Sequence, residues 1–171
     1  MPRPRAGDWL DDEMASLRQQ GLDLVVSLLV DEEVRELELD GEQEACARSG
    51  LQFMRFPVSD RDVPLSPSEV SKLVATLIAE LQAGRSVGIH CRIGIGRSAV
   101  LAVCVLAGLG VHIEKAWEMV QRSRGLTVPD TSAQRAWPSA WFATEKHANC
   151  RTRIDSSVST DPGKNGLSDF Q

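Results

Sequence analysis

Apolar and polar residues follow one another along the chain in blocks that predict strands and helices in alternation. Residues 22–30 are apolar and rich in β-branched side chains, which predicts a central strand, and residues 51–56 predict the next one. Between them, the acids at 31–33 suit the first turn of a helix. Residues 86–89 form a third short apolar block, and residues 99–109 form an apolar run of helical length. We therefore expect three buried strands separated by helices.

The clearest helix signal lies at residues 66–83. Ser66 can act as the N-cap, Pro67 suits the first helical position, and Glu69 completes a capping box. Apolar residues then recur every three or four positions, and Gly84 ends the pattern. Further helices are predicted over residues 11–20, 31–37, 41–49 and 113–124, and over a last segment that starts after Thr131 and ends near His147, with a break near Pro138.

This order of elements sets the expected fold class. Strands that alternate with helices favour an α/β fold with a mostly parallel central sheet and helices on both of its faces. A length of 171 residues suits a single domain. Residues 150–171 are rich in Ser, Asp and Gly, so we expect residues 1–149 to form the domain and the rest to be a disordered tail.

The third predicted strand runs into the segment with the strongest chemical signal. Residues 90–98 read His-Cys-Arg-Ile-Gly-Ile-Gly-Arg-Ser and join this strand to the N-terminus of the next helix. Backbone N–H groups at a helix N-terminus lack partners, and the helix dipole is positive there, which favours an anion. Gly94 and Gly96 allow the backbone to curl so that several N–H groups converge on one point. The segment therefore predicts a phosphate-binding loop.

Side chains of this loop can carry out a reaction on a bound phosphoryl group. Cys91 faces a helix N-terminus and a cation, which stabilise the thiolate, the nucleophilic form of cysteine. The planar guanidinium of Arg97 can hold two phosphoryl oxygens and the charge that they gain in the transition state. The Ser98 hydroxyl can donate to the sulfur when the sulfur leaves, and His90 is expected to pack under the cysteine and bond the loop backbone. A buried core thiol is the alternative interpretation of Cys91.

The pattern His90-Cys91-x5-Arg97-Ser98 resembles the signature of the cysteine-dependent protein tyrosine phosphatases, in particular their small dual-specificity branch. The resemblance implies a phosphatase-like fold and a reaction without a metal ion or other cofactor, in which water hydrolyses a phosphocysteine intermediate. It implies that Cys91, Arg97 and Ser98 are catalytic and that His90 supports them. It also implies that the phosphate of the substrate is bound by Arg92, Ile93, Gly94, Ile95, Gly96 and Arg97.

A proton donor for the leaving oxygen must come from another loop. Residues 56–64 follow a predicted strand and are framed by Pro57 and Pro64, which restrict the shape of the backbone. In the resembled family, an aspartate on such a loop, about this far before the cysteine, is the general acid, and Asp60 matches this position. Asp62 is the competing candidate. Without the cysteine signature, either carboxylate would be interpreted as a solvated loop residue or a turn cap.

Two further residues have two interpretations each. Gln134 occupies a place where phosphatases of the resembled family position the hydrolytic water, whereas a glutamine on the surface is the simpler interpretation. Arg92 can add positive charge at the mouth of the loop, or it can face solvent. Both residues are therefore secondary to Cys91 and Arg97 in the predicted site.

Composition and charge restrict the partners and the compartment. The net charge is −5, and the first 50 residues carry 13 acids and only 5 bases, whereas nucleic-acid-binding domains present a basic face. The longest apolar run is too short to span a bilayer, and no signal peptide is apparent. Four cysteines without a C-x-x-C pair and three histidines give no zinc pattern. We expect a cytoplasmic monomer that binds no nucleic acid, membrane or metal.

The expected substrate class follows from what the loop lacks. Arg92 is the one extra base in the loop, whereas phosphatases of inositol lipids resemble one another in carrying lysines there. The chain contains no tyrosine, so it lacks the phosphotyrosine clamp of the large tyrosine-specific enzymes. We therefore expect hydrolysis of phosphotyrosine, and of phosphoserine or phosphothreonine, in proteins. The alternatives are a phosphatase of a small phosphorylated metabolite and a phosphate-binding module without turnover. Sulfur transfer or arsenate reduction would not need Asp60, and a reductase would need a second cysteine that the loop lacks.

Overall fold

Three short parallel strands form the centre of the molecule. The computed structural model describes residues 1–157, with side chains described up to residue 144. The predicted parallel sheet is confirmed, and the loops that follow its strands meet at its carboxyl edge. The strands are β1 (Leu24–Ser27), β2 (Gln52–Arg55) and β3 (Val87–His90), with β1 between the other two.

Seven α-helices are described around the sheet. The helix with the clearest sequence signal begins as predicted, because Ser66 Oγ accepts a hydrogen bond of 3.3 Å from the backbone N–H of Glu69 and Pro67 takes the first helical position. The helices are α1 (Leu10–Gln19), α2 (Asp31–Glu36), α3 (Glu42–Arg48), α4 (Pro67–Gln82), α5 (Arg97–Gly108), α6 (Ile113–Arg124) and α7 (Ser132–Ser157), and a 3-10 turn (Gly7–Trp9) precedes α1.

Alternating side chains of β1 and the residues after it enter a separate core on each face of the sheet. Leu24, Val26 and Leu28 join the core that contains α4, α5 and part of α6. Val25 and Leu29 join the core that contains residues of α1 and α3. Full burial of one such side chain contributes about 1.5–3 kcal/mol to folding. Helices therefore cover both faces, as the order of elements predicts.

Two details of the predicted secondary structure are corrected. The expected break near Pro138 is wrong, because α7 runs through this residue without interruption. A proline removes a single backbone donor, and a helix that is packed against its neighbours can continue past that loss. The helix also continues beyond residue 149, where the tail was predicted to begin, as far as Ser157. Residues 158–171 of the predicted tail lie outside the described residues.

The first residues of the chain lie along the outer edge of β3. The Met1 ammonium group donates a hydrogen bond of 2.5 Å to the carbonyl oxygen of Ile89, and the backbone N–H of Arg3 donates one of 3.3 Å to the carbonyl oxygen of Arg92. The first contact covers a backbone group of the edge strand β3, and the second ties the start of the chain to the loop that follows this strand. Within the described part of the chain, no helix is long and apolar enough to cross a membrane.

Candidate active site

The loop between β3 and α5 has the conformation that its glycines allow. Gly94 has a φ of +74°, and a Cβ atom placed there would lie 2.4 Å from the backbone of Met1. A Cβ atom on Gly96 would lie 2.6 Å from Oδ2 of Asp130 and 2.8 Å from the side-chain amide of Gln134. At Gly94 the close atoms belong to the backbone and φ is positive, so this position requires glycine, whereas at Gly96 the close atoms are the ends of two side chains, which would have to move.

Cys91 lies at the base of this loop. Only 2% of its surface is exposed, and its Sγ lies 3.5 Å from Oγ of Ser98, within hydrogen-bond distance for sulfur. Ser98 is itself buried in the first turn of α5. Since the N-terminus of α5 faces the loop, the sulfur is close to a hydroxyl donor and to the positive end of a helix dipole.

Arg97 is a buried guanidinium held by four acceptor groups, of which the carbonyl oxygen of Leu28, 3.5 Å from Nη1, is the most distant. Its Nη1 and Nη2 donate hydrogen bonds of 2.6 and 2.8 Å to the two carboxylate oxygens of Glu33. Nη1 also donates to the carbonyl oxygen of Val58 at 2.8 Å, and Nη2 donates to Oδ1 of Asp60 at 2.8 Å. Burial opposes the charge of Arg97, but its hydrogen bonds to Glu33 and its attraction to nearby anions outweigh this effect and raise the pKa of the guanidinium.

The same pairing acts on Glu33. Burial favours the protonated acid, but the hydrogen bonds and the charge of Arg97 are stronger and lower the pKa of Glu33. Glu33 is 6% exposed, so a carboxylate there requires a cation as its partner. Glu33 therefore fixes the plane of the guanidinium in a bidentate arrangement.

The loop after β2 brings Asp60, and not Asp62, to this guanidinium. Oδ1 of Asp60 lies 2.8 Å from Nη2 of Arg97, while the Asp60 side chain remains 56% exposed. The carboxylate of Asp62 instead accepts a hydrogen bond from the backbone N–H of Val63, next to it in the chain. Of the two candidate acids, Asp60 is the one that contacts the predicted phosphate-binding arginine.

Gln134 is buried, which overturns its interpretation as a surface residue. Its exposed fraction is 0%, and its Nε2 donates a hydrogen bond of 3.0 Å to the carbonyl oxygen of Asp62. Its Oε1 is buried and has no hydrogen-bond partner in the described part of the chain. Because Gln134 also lies against Gly96, it connects the start of α7 to both loops of the candidate site.

The ring of His90 lies against a carboxylate rather than bonding the loop backbone. The residue is 0% exposed, and Nε2 lies 2.9 Å from Oε1 of Glu42, which is 2% exposed. Neither ring nitrogen makes a hydrogen bond of normal geometry to any described residue. The expected bond from His90 to the loop backbone is therefore not observed, and Glu42 is its charged neighbour.

Arg92 neither faces solvent freely nor points an unpaired charge at the mouth of the loop. Its guanidinium donates hydrogen bonds of 3.0 and 2.5 Å to the carboxylate of Glu36. Ile93 beside it is 54% exposed, whereas Ile95 packs against the core. The predicted loop residues therefore differ in their surroundings, although all of them belong to one short segment.

The other described thiols lie away from the loop in apolar surroundings. Burial, with a smaller contribution from Glu42, raises the pKa of the Cys46 thiol to about 12. Burial alone raises the pKa of Cys104. Both residues therefore remain thiols near neutral pH. The Cys150 side chain lies outside the described residues.

Comparison with known proteins identifies the family. The sequence model of the dual specificity phosphatase catalytic domain matches residues 10–136. The chain belongs to this family of cysteine-based phosphatases. No curated protein matches the chain at a significant level.

Solved structures of phosphatases have a similar fold. Kinase associated phosphatase, with its catalytic-site cysteine replaced by serine, aligns with a TM-score of 0.70 and 18% identity over 80% of each chain. The active form of Tk-PTP aligns with a TM-score of 0.61 and 27% identity, over 78% of this chain and 82% of that chain. PTPMT1 in complex with PI(5)P aligns with a TM-score of 0.63 and 17% identity, over 78% of this chain and 88% of that chain.

Two charged residues of the site were missed by the sequence interpretation. Glu33 belongs to the acidic run at 31–33, which was assigned only to the first turn of α2. Glu42 is the first residue of α3 and carries no motif of its own. Their burial depends on how α2 and α3 pack on the sheet, which the local pattern of residues does not specify.

Proposed function

We propose that the chain hydrolyses phosphate monoesters in proteins, with phosphotyrosine as the main substrate and phosphoserine or phosphothreonine as further ones. The observation that supports this proposal most directly is that four side chains lie together in one site: Cys91, Ser98, Arg97 and Asp60. A nucleophile, a hydroxyl donor, a bidentate cation and a carboxyl group are the parts that metal-free phosphoryl transfer through cysteine requires. The contacts of Arg97 with Asp60 and of Cys91 with Ser98 support this assignment.

In the first step, the thiolate of Cys91 attacks phosphorus. The S–P bond forms while the bond between phosphorus and the leaving oxygen breaks. The protonated carboxyl group of Asp60 gives its proton to that oxygen, which leaves as an alcohol or phenol. Arg97 and the N–H groups of residues 92–97 bind the equatorial oxygens of the phosphoryl group. They stabilise the negative charge of these oxygens throughout the transfer.

In the second step, water attacks the phosphocysteine. The new O–P bond forms, the S–P bond breaks, and the Asp60 carboxylate accepts a proton from the water. The Ser98 hydroxyl donates a hydrogen bond to the departing sulfur of Cys91. The unpartnered Oε1 of Gln134, next to Gly96, supports a role for this amide in holding the attacking water.

The charges around the loop favour substrates with a single phosphate. Arg92, its one extra base, is already paired with Glu36, so little positive charge remains for a second phosphate group. The pKa of Glu36 is lowered by this hydrogen-bonded pairing, which indicates a stable carboxylate partner. One structural neighbour was solved with PI(5)P, so a phosphoinositide is the informative competing substrate.

One assay tests the reaction and its substrate class together. Release of inorganic phosphate is measured in the presence of a metal chelator, with phosphotyrosine, phosphoserine and phosphothreonine peptides, PI(5)P in vesicles and a set of sugar phosphates. We expect the highest kcat/KM for phosphotyrosine peptides and no hydrolysis by Cys91→Ser. Preferred turnover of PI(5)P or a sugar phosphate would overturn the substrate class. Absence of turnover with every substrate, together with phosphate binding, would favour a binding module.

A further inference from the structure

Helix α2 contacts both ends of the phosphate-binding loop through two glutamates. Glu33 accepts hydrogen bonds of 2.6 and 2.8 Å from Arg97, and Glu36 accepts hydrogen bonds of 3.0 and 2.5 Å from Arg92. The two glutamates are three positions apart, so they lie on the same face of the helix. Each arginine of the loop is therefore held by one carboxylate of α2.

The pair of Glu36 and Arg92 is bidentate, and both of its backbones are held by other contacts. Nη1 and Nη2 of Arg92 donate to different oxygens of one carboxylate, which fixes the relative orientation of the two groups. The buried pair of Glu33 anchors α2 one turn earlier, and the carbonyl oxygen of Arg92 accepts a hydrogen bond of 3.3 Å from the backbone N–H of Arg3. No other described carboxylate forms a salt bridge with Arg92.

Arg92 lies near the side of the site at which the leaving group is expected. It directly follows Cys91 in the loop. The hydrogen bond to Glu36 and the charge of Glu36 raise the pKa of Arg92, with smaller contributions from the charges of Glu33 and Asp60. Since Asp60 is proposed to protonate the leaving oxygen, the peptide that carries this oxygen comes within electrostatic range of Arg92.

We infer that Glu36 is a specificity-determining residue, because it occupies the guanidinium of Arg92 and prevents it from binding a second anionic group of the substrate. This group would be a carboxylate or a phosphate on the residue next to the phosphotyrosine. Such an anion must displace a carboxylate that is carried by a helix, stays close and repels it. The inference rests on the proposed function and deepens it, since it concerns which residues flank the phosphotyrosine.

The decisive measurement is the affinity of phosphotyrosine peptides for the protein with Cys91→Ser, by calorimetric titration. The peptides differ at the position next to the phosphotyrosine, which carries glutamate or glutamine in one pair and phosphothreonine or threonine in the other. For each pair, the selectivity ratio is the affinity for the anionic peptide divided by the affinity for the neutral one. We expect Glu36→Gln to raise at least one ratio by about threefold or more, the size expected for one partly exposed ion pair.

The two peptide pairs distinguish the sources of the second anion. A rise confined to the glutamate pair assigns a carboxylate to Arg92, and a rise confined to the phosphothreonine pair assigns a phosphate. Because the side chain of Glu36 is 59% exposed, Glu36→Gln is expected to fold.

Two controls test whether Glu36 acts through Arg92. Glu32→Gln removes the same charge from the same helix, but Glu32 pairs with Arg35 and not with the loop, so both ratios should change less than about twofold. In an Arg92→Ala background, Glu36→Gln should also change them less than about twofold, because no guanidinium is released. A rise below threefold with Glu36→Gln, or a rise of twofold or more in either control, would overturn the inference.

Peptide binding does not require turnover, so the two proposals fail separately. If the wild-type protein prefers PI(5)P or a sugar phosphate while the ratios shift as expected, the proposed function alone is wrong. If the wild-type protein hydrolyses phosphotyrosine peptides while the ratios do not respond to Glu36→Gln, the role of Glu36 alone is wrong. Absence of measurable peptide binding by Cys91→Ser would overturn both.

Discussion

The carboxylate of Glu33 holds the guanidinium of Arg97 through two hydrogen bonds, although 64 residues separate them in the chain. Both side chains are nearly fully buried, and the helix that carries Glu33 follows the central strand. The pair therefore ties α2 to the first residue of α5. The orientation of the proposed phosphate clamp depends on a residue outside the signature loop.

Glu33→Gln should lower the free energy of unfolding at pH 7 by about 3 kcal/mol, because it leaves a buried guanidinium without its anionic partner. The pKa of Glu33 is lowered in the folded state, so its stabilising effect is complete above the usual carboxyl range and is lost as pH falls through the lowered pKa. The difference between the two proteins should therefore shrink in acid. Urea unfolding across pH measures it, with Glu36→Gln at the surface as the control that should change stability less.

Cys91→Ser should abolish turnover while phosphate or vanadate still binds, since serine preserves the loop backbone but does not ionise near neutral pH. Steady-state hydrolysis of an aryl phosphate and calorimetric titration with phosphate measure the two properties. Cys46→Ala, which removes a thiol on the other side of the sheet, is the control and should retain turnover. More than trace hydrolysis by Cys91→Ser would mean that another group is the nucleophile.

Arg97→Lys should reduce kcat/KM by about 10²-fold or more, because a point charge cannot hold two phosphoryl oxygens and two Glu33 oxygens at once. Arg55→Lys, at a surface ion pair with Asp31, is the matched control and should behave like the wild-type protein. Near-normal kinetics for Arg97→Lys would show that the arginine serves only to hold the loop together.

Asp60→Asn should lower kcat on phosphotyrosine by about 10²- to 10⁴-fold, the usual range for the loss of a general acid. The loss should be smaller for an aryl phosphate with a weakly basic leaving group, which departs without a proton. Asp62→Asn is the matched control, and the reverse ranking would assign the acid to Asp62.

Peroxide should oxidise Cys91 before Cys46 or Cys104, with activity falling in parallel. A thiolate is the form that peroxide attacks, and the pKa values of the other two thiols are raised by burial. Alkylation of the remaining thiols followed by peptide mass spectrometry gives the order. Earlier modification of Cys46 or Cys104 would contradict the prediction.

The sequence was sufficient for the order of the elements and for the loop. Caps, glycines and apolar periods are local signals, so Ser66, Gly84 and the apolar run over residues 99–109 are informative without any tertiary contact. Parallel strands then place the loops after β2 and β3 at one edge, which predicts the approach of Asp60 to Arg97.

The remaining parts of the site depend on packing between distant segments. The contacts of Arg97 with Glu33 and of His90 with Glu42 are set by how α2 and α3 rest on the sheet. Of the two interpretations of Gln134, the surface one was the simpler because glutamine usually is exposed, yet the residue is buried where α7 meets both loops. The sequence alone does not distinguish a buried glutamate, such as Glu33 or Glu42, from an exposed one.

The contact between Asp60 and Arg97 also affects the release of inorganic phosphate from the site. A phosphate ion that enters must share the guanidinium with a carboxylate that is tethered to the same chain, and a tethered group competes at a high effective concentration. As inorganic phosphate departs, the carboxylate can return to Nη2 and take over the hydrogen bond. We therefore expect that Asp60, the residue proposed to supply the proton, also weakens product inhibition by phosphate.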